Sequence, residues 1–289
     1  MSLLGTLNTG VSALRSFSKG LEVVGNNIAN VNTSGFKSSR ATFSDSFSNT
    51  VRSAVPSASS VVALSSTQVG TGVKLDAVAG KFTQGALNST GVITDLGISG
   101  SGFFRVVNPT DDAQYVTRAG GFRLDYEGNL VTGQGYRVQG LTGGSAGSPP
   151  TAVGDIKLGT PPAGTALQSL SIDRAGNLIE FYSDGTSTIT NRVLLQNFND
   201  PNELKKVGDS LFAGLEAAGP VGGVNLAAAN NGPGENGLGA IEAGALELSN
   251  VDLTEEFADM ITMQRSFQAS SRLVTVSDSI LEDIVNLKR

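Results

Sequence analysis

The chain has 289 residues, of which 39% are hydrophobic and only 16% charged, with 37 glycines and a formal net charge of −6. It holds neither cysteine nor histidine, which excludes disulfides, thiolate metal sites and cysteine catalysis and removes the commonest general base and metal ligand. The acidic balance lacks the footprint of a nucleic-acid binder, and no run of 18 or more apolar residues is present to insert into a membrane.

The opening stretch MSLLGTLNTGVSALRSF has no basic segment followed by an apolar block, so no cleavable secretory signal is expected. From Leu7, apolar residues recur at Leu14, Leu21 and Ile28, and Phe17, Val24 and Val31 each follow three residues after the last three. This heptad-like spacing predicts a helix within residues 1–35, reaching roughly 40 Å. Four asparagines then crowd its end: Asn26, Asn27, Asn30 and Asn32. Asparagine suits a helix interior poorly, because its amide competes for backbone hydrogen bonds. Only Arg15, Lys19 and Glu22 are ionisable side chains in this stretch, and such a weakly charged polar face suits packing on several sides. The amides can bond local backbone or a neighbouring molecule with no charge to desolvate. Asn32 to Gly35 supplies the expected helix stop, with Gly35 able to turn left-handed.

Residues 36–69 are expected as a connector, Ser-rich and weakly patterned from residue 44 onward. A β-rich domain is expected over residues 70–240. Short alternating runs such as VGTGVKLDAVAG and LQSLSIDRAGNLIEFY are separated by Gly, Asn and Asp, which reads as antiparallel sheet. In GISGSGFFRVV, Gly100 and Gly102 are expected to shape a turn or bulge entering a core strand at Phe103 and Phe104. The pattern D-x-x-G-N-L occurs twice, at 125–130 and 173–178. A calcium loop needs more carboxylates and a distal glutamate, so both copies are expected to be turns opened by Asp with Gly left-handed. Residues 143–147 match a serine-nucleophile pattern, but the chain has no histidine base to activate it. The glycines at 70–74 and 100–104 complete no phosphate-binding pattern. No residue is nominated for catalysis, for a cofactor or for a metal.

Residues 241–289 repeat the terminal pattern, with Leu246, Leu253, Met260, Phe267, Val274 and Leu281 at every seventh position. Phe257, Met263, Ile284 and Leu287 widen the stripe. Asp252, Glu255, Glu256 and Asp259 crowd its start while Lys288 and Arg289 close it, as the helix dipole prefers. Asn250 and Asp252 are both placed to cap a helix of roughly 50 Å.

Two such helices at the ends of a modest β-chain are expected to pair with each other and with further copies. The expected self-assembly surface is Leu7, Leu14, Phe17, Leu21, Val24, Asn26, Asn27, Ile28, Asn30 and Val31, together with Leu253, Phe257, Met260, Phe267, Val274 and Leu281. Contacts between copies that do not close generate an open helical polymer. A carboxylate-dependent hydrolase with helical appendages, or a secreted binding module, are the competing readings.

Three blocks carry a resemblance. GNNIANVNTSGFKSSRATF (25–43) and the segment from Ser249 to Arg289 resemble the N- and C-terminal signatures of bacterial flagellar axial proteins, the rod and hook group. Residues 97–140 resemble that group's central β-region. The opening MSLLGTLNTGVSAL and the ending SILEDIVNLKR look most like the hook members, whereas the Ser-rich stretch 44–69 resembles a segment of the distal rod members. The resemblance implies an α+β, mainly β, fold whose long terminal helices form an antiparallel coiled coil beside a central antiparallel β-domain. It implies a structural subunit without enzymatic activity or cofactor, polymerising into the tubular hook as a flexible joint, with the distal rod as the alternative. Its implied partners are copies of itself, flagellar rod and hook–filament junction proteins, the assembly cap and the flagellar export apparatus. It would lie in the hook–basal body, exported without a cleavable signal peptide.

Overall fold

Heptad-spaced apolar residues at both ends and alternating runs between them give an α+β, mainly β, molecule. The computed structural model describes residues 3–54, 65–145, 148–159, 161 and 164–287. The chain divides into two compact units, a helical one of residues 1–29, 39–81 and 252–289, and a β-rich one of residues 30–38 and 82–251.

In the helical unit, α1 (Leu3–Ala29) ends six residues before Gly35. The cause is local. Thr33 N donates to Asn30 O at 3.1 Å and Thr33 Oγ1 to Asn30 Oδ1 at 3.1 Å, a turn that competes with the next helical bonds. Gly35 is left-handed at φ 67°. Four strands follow, three of them within or overlapping the expected connector and the last beyond it: β1 (Ser39–Asp45), β2 (Ser48–Arg52), β3 (Thr67–Gly70) and β4 (Val73–Gly80). β1 pairs antiparallel with β4, and β2 with β3. Both faces of β2 and β3 are largely exposed, so selection for alternating hydrophobicity is weak and the pattern is hard to read. The middle of the expected connector, 55–64, lies outside the described residues.

The last helix, here α3, spans Leu253–Leu287. Asp252 caps it, with Oδ1 accepting from Thr254 N at 2.8 Å and from Glu255 N at 3.4 Å. Asn250 is spent elsewhere, accepting from Ser38 N and donating to Thr83. Lys288 and Arg289 lie outside the described residues.

The β-rich unit opens with β5 (Leu87–Ser89), β6 (Leu96–Ser99), β7 (Phe103–Val107), β8 (Gln114–Thr117), β9 (Arg123–Leu124) and β10 (Leu130–Val131). It continues with β11 (Arg137–Thr142), β12 (Ala152–Asp155), β13 (Leu167–Ile172), β14 (Asn177–Tyr182), β15 (Ser187–Val193) and β16 (Leu195–Gln196). After these come β17 (Lys205–Gly208), β18 (Leu211–Ala213), the short α2 (Ala228–Asn231), β19 (Ala240–Ala243) and β20 (Ala245–Glu247). The main sheet is antiparallel, in the order β13-β14-β15-β11-β7-β8-β18-β17. Its core gathers Leu96, Ile98, Phe104, Val106, Leu130, Val138 and Ile241, and a second cluster stacks Phe103, Phe198 and Phe212. Gly100 and Gly102 adopt φ 121° and 125° just before the buried Phe103, as expected of a turn feeding a core strand.

The two D-x-x-G-N-L copies fold alike. Asn129 N donates to Asp125 Oδ1 at 2.7 Å and Asn177 N to Asp173 Oδ1 at 2.8 Å, while each asparagine amide donates to the second carboxylate oxygen at 2.9 Å. Gly128 and Gly176 are left-handed at φ 82° and 79°. These are Asp-opened turns, their carboxylates spent inside the loop. The serine pattern at 143–147 falls partly on residues 146–147, outside the described residues.

Candidate assembly site

Within the helical unit, α1 and α3 run antiparallel in constant register. Thr6 Oγ1 lies 3.3 Å from Ser277 Oγ. A Cβ on Gly10 would sit 2.7 Å from Val274 Cγ2, and one on Gly20 would sit 3.0 Å from Met263 Sδ. Asn27 Nδ2 donates to Glu256 Oε1 at 2.9 Å. From Thr6 to Asn27 and from Ser277 to Glu256 the chain advances 21 residues on each helix (27 − 6 and 277 − 256), so neither helix slips against the other. Glycine costs about 0.5–1 kcal/mol in a helix interior. Here its missing side chain lets the two backbones approach.

The other side of α1 lies on the β1–β4 ladder. Ser16 Oγ donates to Val73 O at 3.2 Å, Phe17 meets Phe43 edge-on at 5.9 Å between ring centroids, and Asn27 bonds both the carbonyl and the amide of Ser39, at 2.8 and 3.0 Å. Asn27 is therefore a buried tie within the chain. Among the other nominated residues, Val24 is buried, Leu7, Leu14, Phe17, Leu21 and Ile28 are half-buried on α1, and Asn26 is exposed. Asn30 and Val31, both half-buried, fall beyond the helix, in the β-rich unit.

The α3 stripe divides. Met260, Val274 and Leu281 are half-buried, whereas Leu253, Phe257 and Phe267 are exposed. The register sets Val24 level with Met260 and Phe17 level with Phe267. A further run of exposed apolar residues follows helical spacing through Leu273, Val276, Ile280, Ile284 and Leu287, of which the sequence reading placed only Ile284 and Leu287 beside the stripe. Because the helix repeats every 3.6 residues, a strict seven-residue stripe drifts across its surface, and the outward run was legible only with the inward face known. Phe47 and Val51, at 81% and 69% exposure, add apolar surface on and beside β2. Exposed apolar surface on this scale makes this face the candidate for contact with a partner.

Glu256 sits at the Asn27 contact. Desolvation pushes its carboxyl pKa up, the Asn27 hydrogen bond opposes the shift, and Asp259 and Glu255 add to it.

One cluster in the β-rich unit has no local mark in the sequence. Glu247 is buried between two cations, Lys37 Nζ at 2.6 Å and Arg118 Nη1 at 3.2 Å. Gly85 N donates to the same carboxylate at 2.8 Å, and Lys37 also donates to Thr83 O at 2.8 Å. Gly35 N reaches Glu247 O at 2.8 Å. Desolvation pulls the pKa of both Lys37 and Arg118 down, and Glu247 opposes it. The cluster binds the segment Asn30–Ser38 to the loop at Thr83 and to β20 at Glu247. Its members stand 81 and 129 residues apart in sequence (118 − 37 and 247 − 118), so no local pattern marks them.

Among the described residues no helix is long and apolar enough to cross a membrane, and no group of three or more acidic side chains is arranged to hold a metal ion.

Residues 7–37 match the family described as "Flagella basal body rod protein", residues 97–179 the "Flagellar hook protein FlgE/F/G D1 domain", and residues 242–287 the "Flagellar basal body rod FlgEFG protein C-terminal". The chain is 38% identical to the flagellar basal-body rod protein FlgG of Bacillus subtilis, over 99% of this chain and 100% of that protein. It is 32% identical to FlgG of Borreliella burgdorferi, again over 99% and 100%. It is 25% identical to the flagellar hook protein FlgE of the same organism, over 99% and 100%. The chain belongs to the flagellar basal-body rod and hook family, whose members are structural subunits of the flagellum and not enzymes.

Proposed function

We propose that this chain is the distal rod subunit of the flagellar basal body, polymerising into the stiff shaft that carries torque outward. The observation that carries the reading is end-to-end similarity, 38% and 32%, to proteins named as rod subunits. The hook expectation is less well supported. The hook relative aligns at 25% over 452 positions against 289 residues here, so it carries segments that this chain lacks. The Ser-rich stretch over 44–69, with its β2–β3 ladder, adds to the rod reading through its resemblance to distal rod members.

In this reading the half-buried faces of α1 and α3 hold each subunit together as a coiled-coil pair. The exposed faces, with Asn26, Leu253, Phe257 and Phe267 among the nominated residues, join it to further copies. Repetition of such a contact without closure produces a tube. The terminal segments 1–35 and 241–289 assemble, residues 36–69 connect, and residues 70–240 form the β-domain. In the same reading the chain leaves the cell through the flagellar type III apparatus, and the polymer's ends meet other flagellar components.

The test is electron microscopy of basal bodies purified from cells making only a labelled copy of this chain. Label along the straight rod is expected. Label along the curved hook would overturn the reading in favour of the hook.

A further inference from the structure

Strand β7 reads FFRVV, and Phe103, Phe104, Arg105 and Val106 are all buried. Arg105, 2% exposed, therefore places a guanidinium inside the β-rich unit. Its side chain donates to the Val224 carbonyl and to Gln114 Oε1, both neutral acceptors. Among the described residues no carboxylate pairs with it.

The sheet register explains why. Arg137 faces Val107 and Val138 faces Val106 across β11 and β7, which brings Gln139 beside Arg105. Asp155 on β12 faces Gln139 in turn, two strands from Arg105, or roughly 9–10 Å at ordinary strand spacing. Its carboxylate is already held by Arg137 at 3.1 Å and by Gln139. An open cavity of about 200 Å³ lies against Arg105, lined also by Gln114, Gln139, Val153, Asn225 and Leu226.

A guanidinium stays charged in proteins, and a buried cation facing only neutral acceptors lacks the anion that offsets its desolvation. The fork of Arg matches a carboxylate, and side-chain amides beside it supply further donors. Among the described residues no second cation lines the cavity, so a singly charged planar anion suits it better than a phosphate dianion.

We propose that the Arg105 cavity is a carboxylate-binding site, filled by a free short-chain carboxylate or by an Asp or Glu side chain of a second copy. The second source rests on the polymeric reading above; the first does not.

The test follows the side-chain amide signals of Gln114, Gln139 and Asn225 by nuclear magnetic resonance in the full-length chain. Sodium acetate is titrated against sodium chloride at equal ionic strength. Saturable shifts with acetate alone, lost in Arg105→Gln, are expected. If raising protein concentration moves the same signals and acetate reverses the movement, the carboxylate comes from a second copy. If only acetate moves them, the ligand is a free carboxylate. No response of the wild-type signals to acetate or to concentration overturns the proposal, whether or not the variant folds, as does an acetate response that survives in folded Arg105→Gln.

Discussion

The side-chain amide of Asn27 donates to Glu256 Oε1 at 2.9 Å, tying the last turn of α1 to the first turn of α3. The same amide donates to Ser39 O and accepts from Ser39 N, so one asparagine joins two helices and a strand. Asn27→Ala leaves three buried or half-buried polar groups without this partner. A loss of about 1–3 kcal/mol is expected in denaturant unfolding of the full chain. A change within experimental error would remove Asn27 as the tie.

Glu256 gives the helical unit a pH dependence of definite sign. Burial raises its carboxyl pKa above the ordinary 4.5, so the folded chain keeps this proton to a higher pH than the unfolded chain. This stabilising contribution is fully present below 4.5 and is lost as pH rises through the raised folded value. Glu256→Gln keeps an acceptor for Asn27 and removes the titration. The stability difference, wild type minus variant, should grow as pH falls through that window and stay flat above it. A difference that shrinks on acidification contradicts the assignment.

Gly10 faces a stiff neighbour. A Cβ there meets Val274 Cγ2 at 2.7 Å, and a β-branched residue in a helix has one preferred rotamer. Gly10→Ala should therefore destabilise by about 1–3 kcal/mol through overpacking, although alanine is the better helix former. Adding Val274→Ala should recover part of the loss, and a double-mutant cycle measures the coupling. Additive losses would show that the two positions do not touch.

The Glu247 cluster holds two cations on one carboxylate. Glu247→Gln leaves both buried without an anion and should cost about 3–5 kcal/mol of unfolding free energy. Lys37→Met leaves Arg118 and Glu247 as a balanced pair and should cost less. The reverse order, measured by denaturant unfolding, would contradict the charge count.

The legible parts of this molecule were those written in local sequence. Heptad spacing marked both helices, because one face of each is covered along most of its length. The D-x-x-G-N-L turns were readable because Asp, Gly and Asn each meet a backbone requirement within six residues. The β2–β3 ladder was not, since exposed strands need no alternation. The division of the α3 stripe, with Phe257 outward and Met260 inward, depends on the register against Gly10 and Gly20. Lys37, Arg118 and Glu247 are brought together by topology alone; for the separate Arg105, an arginine within FFRVV was a local signal that a charge had entered the core.

The central claim is that the outward apolar face of α3 joins one subunit to the next. Phe257→Asp and Ile280→Asp change residues that are 49% and 43% exposed, so each should leave the unfolding free energy of the single chain within about 0.5 kcal/mol. Electron microscopy of wild-type and variant chains under assembly conditions is the most direct measurement. Ordered tubes from the wild type and folded, unassembled subunits from both variants are predicted. Tubes of normal length from both variants would contradict the account.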